Sequence, residues 1–247
     1  MFTAQGPIWE SAFLPTPPLT VDAIVATSRA LLVEGGADAV VVREVARRLG
    51  VTAPALYRHV SGRDDLLTLL ITACTDEVTD ACEDALETCR PDDVEGRIRA
   101  ATLAFRAWAL DHRPEFGLVY GTPLMHYAAP VGGPTVEAGQ RFGGLFGSLF
   151  VEALAAGRLR VVDDDQLSPG VRASLLDTAT RLGLPMRAGE VRPFIVGWHR
   201  MLGIVSVEVA GHLRWVFGED ASTFAHEQLE ELLAELLVPA GPRAGST

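Results

Sequence analysis

The chain has 247 residues, of which 48% are apolar and 21% charged, so it is no disordered segment and is long enough to bury a substantial core. A net charge of −11 argues at first against a nucleic-acid partner, because attraction to phosphate is the main sequence-independent source of affinity. The charge is unevenly spread, however. Residues 20–63 carry six arginines against four acidic residues, so the negative excess lies elsewhere and leaves that segment as the surface open to DNA. No lysine occurs anywhere in the chain.

Residues 1–18 contain Pro7, Pro15, Pro17 and Pro18 and a single charge, Glu10. They are expected to form a mobile leader that does not touch DNA, with Trp9, Phe13 and Leu14 resting on the body of the protein. Without Arg, Lys or a sustained apolar run, they do not read as a secretory signal. A first helix is predicted over 21–33, capped by Thr20, with Val21, Ile24, Val25, Ser28, Leu31 and Leu32 facing inward and Glu34-Gly35-Gly36 ending it.

From Val41 to Val60 the sequence spells two short helices around a tight turn. Val42, Val45, Ala46 and Leu49 recur at i, i+3, i+4 and i+7, while Arg43, Glu44, Arg47 and Arg48 take the other face. Gly50 suits the left-handed conformation that stops a helix. Thr52 suits the cap that starts the next, with Pro54 in a first turn that needs no donor. Ala53, Leu56 and Val60 share the inner side of this second helix, so Thr52, Pro54, Ala55, Tyr57, Arg58 and His59 point away from the first. Ser61 and Gly62 break the chain before a long helix over 63–88, where Asp64 and Asp65 complement the helix dipole.

Beyond residue 90 the reading is all helical: 94–112, 114–120, a Gly- and Pro-broken loop over 121–134, 135–156, an acidic loop at 163–165, and 171–182. Then come two strongly patterned segments. In the first, Val191, Phe194, Ile195, Trp198, Leu202, Val205 and Val209 form one stripe, and Ile204 and Val207 add a second apolar face. In the second, Leu229, Leu232, Leu233, Leu236 and Leu237 lie opposite Glu227, Glu230, Glu231 and Glu235. Residues 239–247 are expected to be a disordered tail. The longest uncharged stretch, Phe116 to Val136, holds seven Gly and Pro residues and is no membrane span, so a soluble, cytoplasmic protein is expected. Cys74, Cys82 and Cys89 fall in one helix at separations too long for an intrahelical disulfide and read as buried free thiols; a redox switch between two subunits is the alternative.

The run Leu19 to Leu70, with EVARRLGV at 44–51, ALYRHV at 55–60 and GRDDLL at 62–67, resembles the DNA-binding domain of the TetR family of bacterial transcription regulators. Two departures stand out: Arg63 where the family usually has lysine, and Ala53, Pro54 and Ala55 where it usually has polar residues. Trp198 and Gly203 also resemble, more loosely, the Trp and Gly of a Trp/His/Gly-type C-terminal domain, although Leu202 stands where that domain has its histidine. The resemblance implies an all-α protein. A three-helix helix-turn-helix domain (19–62) would be joined by the long helix to an all-helical ligand-binding and dimerisation domain (63–238). It would act as a ligand-responsive repressor on a pseudo-palindromic operator. The last two helices would pair with those of a second subunit through Trp198, Val205, Val209, Leu229, Leu233 and Leu236, with Gly197, Gly203 and Gly211 permitting close approach. The alternative is that both helices complete the monomer core.

For DNA, Tyr57, His59, Arg43, Arg63 and the N–H groups of Thr52 and Ala53 are expected on phosphates. Arg58 is expected at a guanine edge, with Ala53, Pro54 and Ala55 near thymine methyl groups. His59 reads equally well as a residue packing the helix onto its neighbour. For a flat or greasy effector, Phe105, Trp108, Tyr120, Tyr127, Phe142 and Phe146 are the candidate walls, with His112 or His126 as polar handle; the same aromatic residues also read as plain core. Glu208 and His212 share a helix face, but no HExxH, CxxC or nucleophile with a base partner accompanies them, so neither a metal, a cofactor nor catalysis is expected. The competing function is a helical module that binds a small molecule and no DNA.

Overall fold

The computed structural model describes residues 19–239, so the expectations for the leader and for the tail past 239 lie outside the described residues. Thr20 starts α1 (Val21–Gly35) by accepting the Ala23 N–H at 3.2 Å. Ile24, Ser28, Leu31 and Leu32 are buried as their spacing demands, but Val21 is 45% exposed, at the rim of an open groove between α1 and the long helix. The first helix-turn-helix segment is α2 (Val42–Leu49), ended by Gly50 at φ 67°, where the Val51 N–H also reaches back to the Ala46 carbonyl at 3.0 Å. Next comes α3 (Ala53–Leu56), with Thr52 accepting the Ala55 N–H at 3.4 Å. This helix is shorter than its sequence pattern suggests. After Leu56 the chain continues as turns, held by Tyr57 N–H to Ala53 O at 2.9 Å and His59 N–H to Leu56 O at 2.9 Å.

The long helix α4 (Arg63–Glu87) is the spine of the molecule, in contact with α1 on one side and with the helices of the body on the other. Asp65 anchors its start by accepting the Ser61 N–H at 2.7 Å, and its hydrogen bonding to Ser61 holds the carboxyl below the usual range. The body consists of α5 (Val94–Asp111), α6 (Arg113–Tyr120), α7 (Pro134–Ala155), α8 (Pro169–Arg181), α9 (Ala188–Val209), a single turn α10 (Arg214–Phe217) that the sequence pattern does not announce, and α11 (Ala221–Leu236). Among the described residues there is no sheet, only one isolated antiparallel bridge between Leu159 and Leu237. Buried apolar side chains form one continuous cluster from Ile24 through Leu237.

Most of the residues named for dimerisation are already covered within one chain, while Val209 is half-buried. Val205, Leu229, Leu233 and Leu236 are 0–7% exposed inside one chain, where α9 and α11 seal against each other, and Trp198 turns into the aromatic cluster of the body. Gly197, expected to admit a second subunit, instead lets α11 approach, since a Cβ there would lie 2.8 Å from Leu236 Cδ1. Two apolar stripes that face each other within one chain bury each other. Gly211 follows the end of α9 at φ 74°, so within the helix itself Gly203 is the one of the three with open space beside it.

Cys74 and Cys82 are buried free thiols, pushed up to about 11 and about 12 by desolvation, and are therefore poor nucleophiles; Cys89 is half-buried. No single helix among the described residues is long and apolar enough to cross a membrane.

Candidate nucleic-acid interface

The interface is built by what lies under it. Leu56 and Val60, 0% and 2% exposed, anchor α3 and its following turn in the core beside α2, which forces the residues between them outward. Tyr57 is 54% exposed, Arg58, His59, Thr52 and Pro54 are exposed, and Ala53 and Ala55 are half-covered. His59 thus stands on the outer side and is not a packing residue. Among the described residues, the guanidinium groups of Arg43 and Arg58 have neither a hydrogen bond nor an ion pair, so both charges are free for an outside anion.

The other arginines of this end are already committed. Arg47 grips Glu44 at 2.7 Å, and Arg48 bridges Glu44 at 3.2 Å and Glu34 at 2.6 Å, tying α2 to the end of α1. These two guanidinium groups hold the half-buried Glu44 carboxyl down to about 2. Arg63, expected at a phosphate, instead donates to the Ala37 carbonyl at 2.9 Å and lies 3.3 Å from Asp38, clamping the turn between α1 and α2. Its charge is partly neutralised by its own chain, so a positioning role for the loop fits it better than a direct phosphate contact.

A second feature lies in the body. Phe105, fully buried, is the hub of a ring cluster, with centroids of Phe116, Tyr120, Phe142 and Trp198 at 6.1, 5.5, 5.8 and 5.6 Å. Beside this cluster, between α4, α6, α7 and α9, lies a cavity of about 390 Å³ walled by Ile71, Tyr120, Phe142, Phe146, Phe194 and Trp198. Of the eight residues expected around an effector, Tyr120, Phe142 and Phe146 line it. Phe105 stands one layer behind.

The remaining four point elsewhere. Trp108 stacks on His112 at 5.1 Å, and His112 lies 3.5 Å from Glu77 outside the cavity. His126 is exposed in the loop after α6, at φ 62°, and Tyr127 fastens that loop to α4 through Thr68 at 3.1 Å. Neither histidine is a polar handle for this cavity, because both belong to turns at its outside. Trp198, Phe194 and Ile71 are walls that the sequence does not reveal; their apolar stripes carry no sign of whether the space between helices is filled.

The two features are joined by packing. Ile71 and Thr75 of α4 and Tyr120 of α6 line the cavity, while α4 and α6 both pack on α1, the helix that backs the helix-turn-helix. At that junction Arg29 of α1 binds Glu77 of α4 and lies 3.9 Å from Glu115 of α6, itself 3% exposed.

A basic, outward-facing helix-turn-helix on an all-helical body defines a DNA-binding transcriptional regulator. Comparison with known proteins agrees. Residues 24–70 match the model of the bacterial regulatory proteins of the tetR family, and residues 98–232 match a Tetracyclin repressor-like C-terminal domain. The chain is 31% identical over 202 residues to the HTH-type transcriptional regulator Rv1816 of Mycobacterium tuberculosis, covering 81% of this chain and 83% of that one. The chain belongs to the TetR family. Its fold is also similar to that of the TetR family transcriptional regulator PfmR from Thermus thermophilus (18% identity, TM-score 0.56, 88% and 97% of the two chains covered). It is similar in the same way to a single-residue variant of TetR from Acinetobacter baumannii AYE in complex with minocycline (19% identity, TM-score 0.52, 88% and 96% covered).

Proposed function

We propose that this regulator is a cytoplasmic, ligand-responsive repressor that reads a pseudo-palindromic operator as a homodimer. The observation that carries the reading is the free, outward set Arg43, Tyr57, Arg58 and His59 around α3, in a chain whose net charge is otherwise repelled by DNA. Tyr57, His59, Arg43 and the N–H groups at Thr52 and Ala53 meet phosphates; Arg58 reaches a guanine edge, and Pro54 and Ala55 present apolar surface to thymine methyl groups.

Two copies are needed because one four-residue helix reads too few base pairs, and a two-fold axis places the second copy about 34 Å away in the next major groove. With the inner stripes of α9 and α11 spent on the monomer core, the pairing surface is the outer stripe of α9. There Val196, Arg200, Gly203 and Val207 follow one another at i, i+4, i+7 and i+11, with Arg200 bound to Glu235 of α11. Gly203, where a Cβ would meet nothing within 4 Å in the monomer, is open to close approach by a second helix.

An effector in the 390 Å³ cavity wedges against α4 and α6, and both lean on α1, so its binding changes the spacing of the two α3 helices. Its leverage is limited to its differential affinity for the two states.

The test starts from duplexes selected from a random pool by the protein itself. Fluorescence anisotropy of the selected duplex should show affinity falling steeply with salt, as counterion release requires. The Tyr57→Ala/Arg58→Ala double variant should bind at least about tenfold more weakly, the scale of one lost base-edge contact plus a phosphate contact. Salt-independent binding, or an unchanged affinity in the double variant, sinks the reading in favour of a helical module that holds a small molecule without DNA.

A further inference from the structure

The walls of the 390 Å³ cavity contain no charged side chain and no histidine. Burying a carboxylate or ammonium there without a partner is strongly unfavourable, by the general penalty for unpaired ions in a low-dielectric interior. The cavity therefore selects against charge. It is not wholly apolar, however. Three lining residues carry hydroxyls, and one of them, Thr75, already donates to the Ile71 carbonyl of its own helix at 2.8 Å. The other two, Tyr120 Oη and Thr135 Oγ1, are buried and have no hydrogen-bond partner. An unpaired buried hydroxyl is a cost the fold carries for no internal return, and a ligand that supplies the missing partner offsets it. Burial also drives the Tyr120 phenol well above its ordinary range, so it stays protonated and able to donate.

We propose that the cavity takes an uncharged, largely aromatic molecule with at least one carbonyl-type acceptor oxygen, received by the hydroxyls of Tyr120 and Thr135 and flanked by the rings of Phe142 and Trp198. The inference rests on the effector reading above and replaces the histidine handle expected from sequence with a pair of neutral donors. The ring cluster supplies the shape selection: Trp198 lies 5.8 Å from Tyr120 and 5.2 Å from Phe142, centroid to centroid, with interplanar angles of 62° and 67°, so edges and faces are both on offer to a flat guest. Gly139 of α7, exposed at the edge of the cavity, leaves the entrance open, and a Cβ there would meet no atom within 4 Å.

Three probes of similar shape separate the contributions: 9-fluorenone, which is neutral with a ketone; fluorene, which is neutral without one; and fluorene-9-carboxylate, which is charged. Binding to the full-length protein is followed by tryptophan quenching, with Trp198→Phe identifying the reporting ring. Fluorenone should bind about two- to tenfold more tightly than fluorene, the worth of one net hydrogen bond, and the carboxylate should bind far more weakly than either. Tyr120→Phe and Thr135→Val, combined, should abolish the preference for the ketone while leaving the thermal midpoint unchanged or raised, because each removes an unpaired buried hydroxyl. Gly139→Leu should block all three probes, and the better helix propensity of leucine keeps that variant folded.

The proposal is overturned if the carboxylate binds as well as the ketone, if the double variant keeps the ketone preference, or if no probe binds the wild-type chain. The same probes added to the protein bound to its selected duplex test the effector role separately. Probe binding with the expected selectivity but no change in DNA affinity would leave the ligand chemistry standing and remove the regulatory reading.

Discussion

The arginines flanking α3 and those at the helix seams of the body stand in opposite situations. Around α3, the guanidinium groups of Arg43 and Arg58 have no partner among the described residues and Tyr57 stands out beside them. In the body, Arg99 is held by Glu95 and Glu230, Arg141 by Asp76, Asp80 and Glu83, and Arg106 by both oxygens of Glu208 at 2.7 and 2.6 Å. A guanidinium that already has its carboxylate offers little to an outside anion, whereas one without a partner offers its full charge. Net charge is therefore a poor guide to what this chain binds. Which charges are left over is the informative quantity.

The contrast can be broken by removing one arginine from each group. Arg106 and Glu208 are 14% and 6% exposed, so Arg106→Ala strands a buried carboxylate and should cost about 3–5 kcal/mol of stability in urea unfolding, with DNA affinity of the folded fraction unchanged. Arg58→Ala should do the reverse, moving stability by less than about 0.5 kcal/mol while weakening duplex binding by about 1–3 kcal/mol in anisotropy titrations. Equal effects of the two on stability would mean that Arg58 is structural after all.

Backbone geometry at the DNA-binding end sharpens the same comparison. Gly50 holds φ 67° with open space around its α-carbon, so Gly50→Ala meets no clash and should lose only the left-handed penalty of about 1–2 kcal/mol, read as a lowered thermal midpoint.

The smallest expected effect is an acid one. The folded chain holds Glu44 at about 2, down from an ordinary 4.5. Below 4.5 the unfolded chain binds a proton that the folded chain refuses, so this contribution is present above that pH and fades as pH falls toward about 2. Because the pair with Arg47 stands in solvent, the difference in urea midpoint between wild type and Glu44→Gln should be small near neutrality and smaller still at about pH 2.5.

Much of the DNA-binding end is legible in the sequence because its signals are local. Gly50, Thr52 and the spacing of Val42, Val45, Ala46, Leu56 and Val60 act within a few residues, and the structure repeats them almost residue for residue. The internal contact of Arg63 is not legible because its partner, the Ala37 carbonyl, lies 26 positions away on another element. The body is legible as helices but not as surfaces. An apolar stripe says that a face must be covered and does not say by what. The stripes of α9 and α11 point to a second subunit when read alone, yet they meet each other.

The longer helices, the stop at Gly50, the caps at Thr20 and Thr52, and the outward set at 57–59 were determined by the chain's own pattern of side chains, because backbone hydrogen bonds and helical periodicity act over one or two turns. Tertiary packing decided the rest. It chose which arginines are spent on internal carboxylates and which aromatic residues fill space. It also chose where an unfilled 390 Å³ remains, with two hydroxyls that no other group among the described residues satisfies. Those outcomes depend on where helices distant in sequence come to rest against one another, and interhelical fit is a property of assembled volumes that no single segment contains.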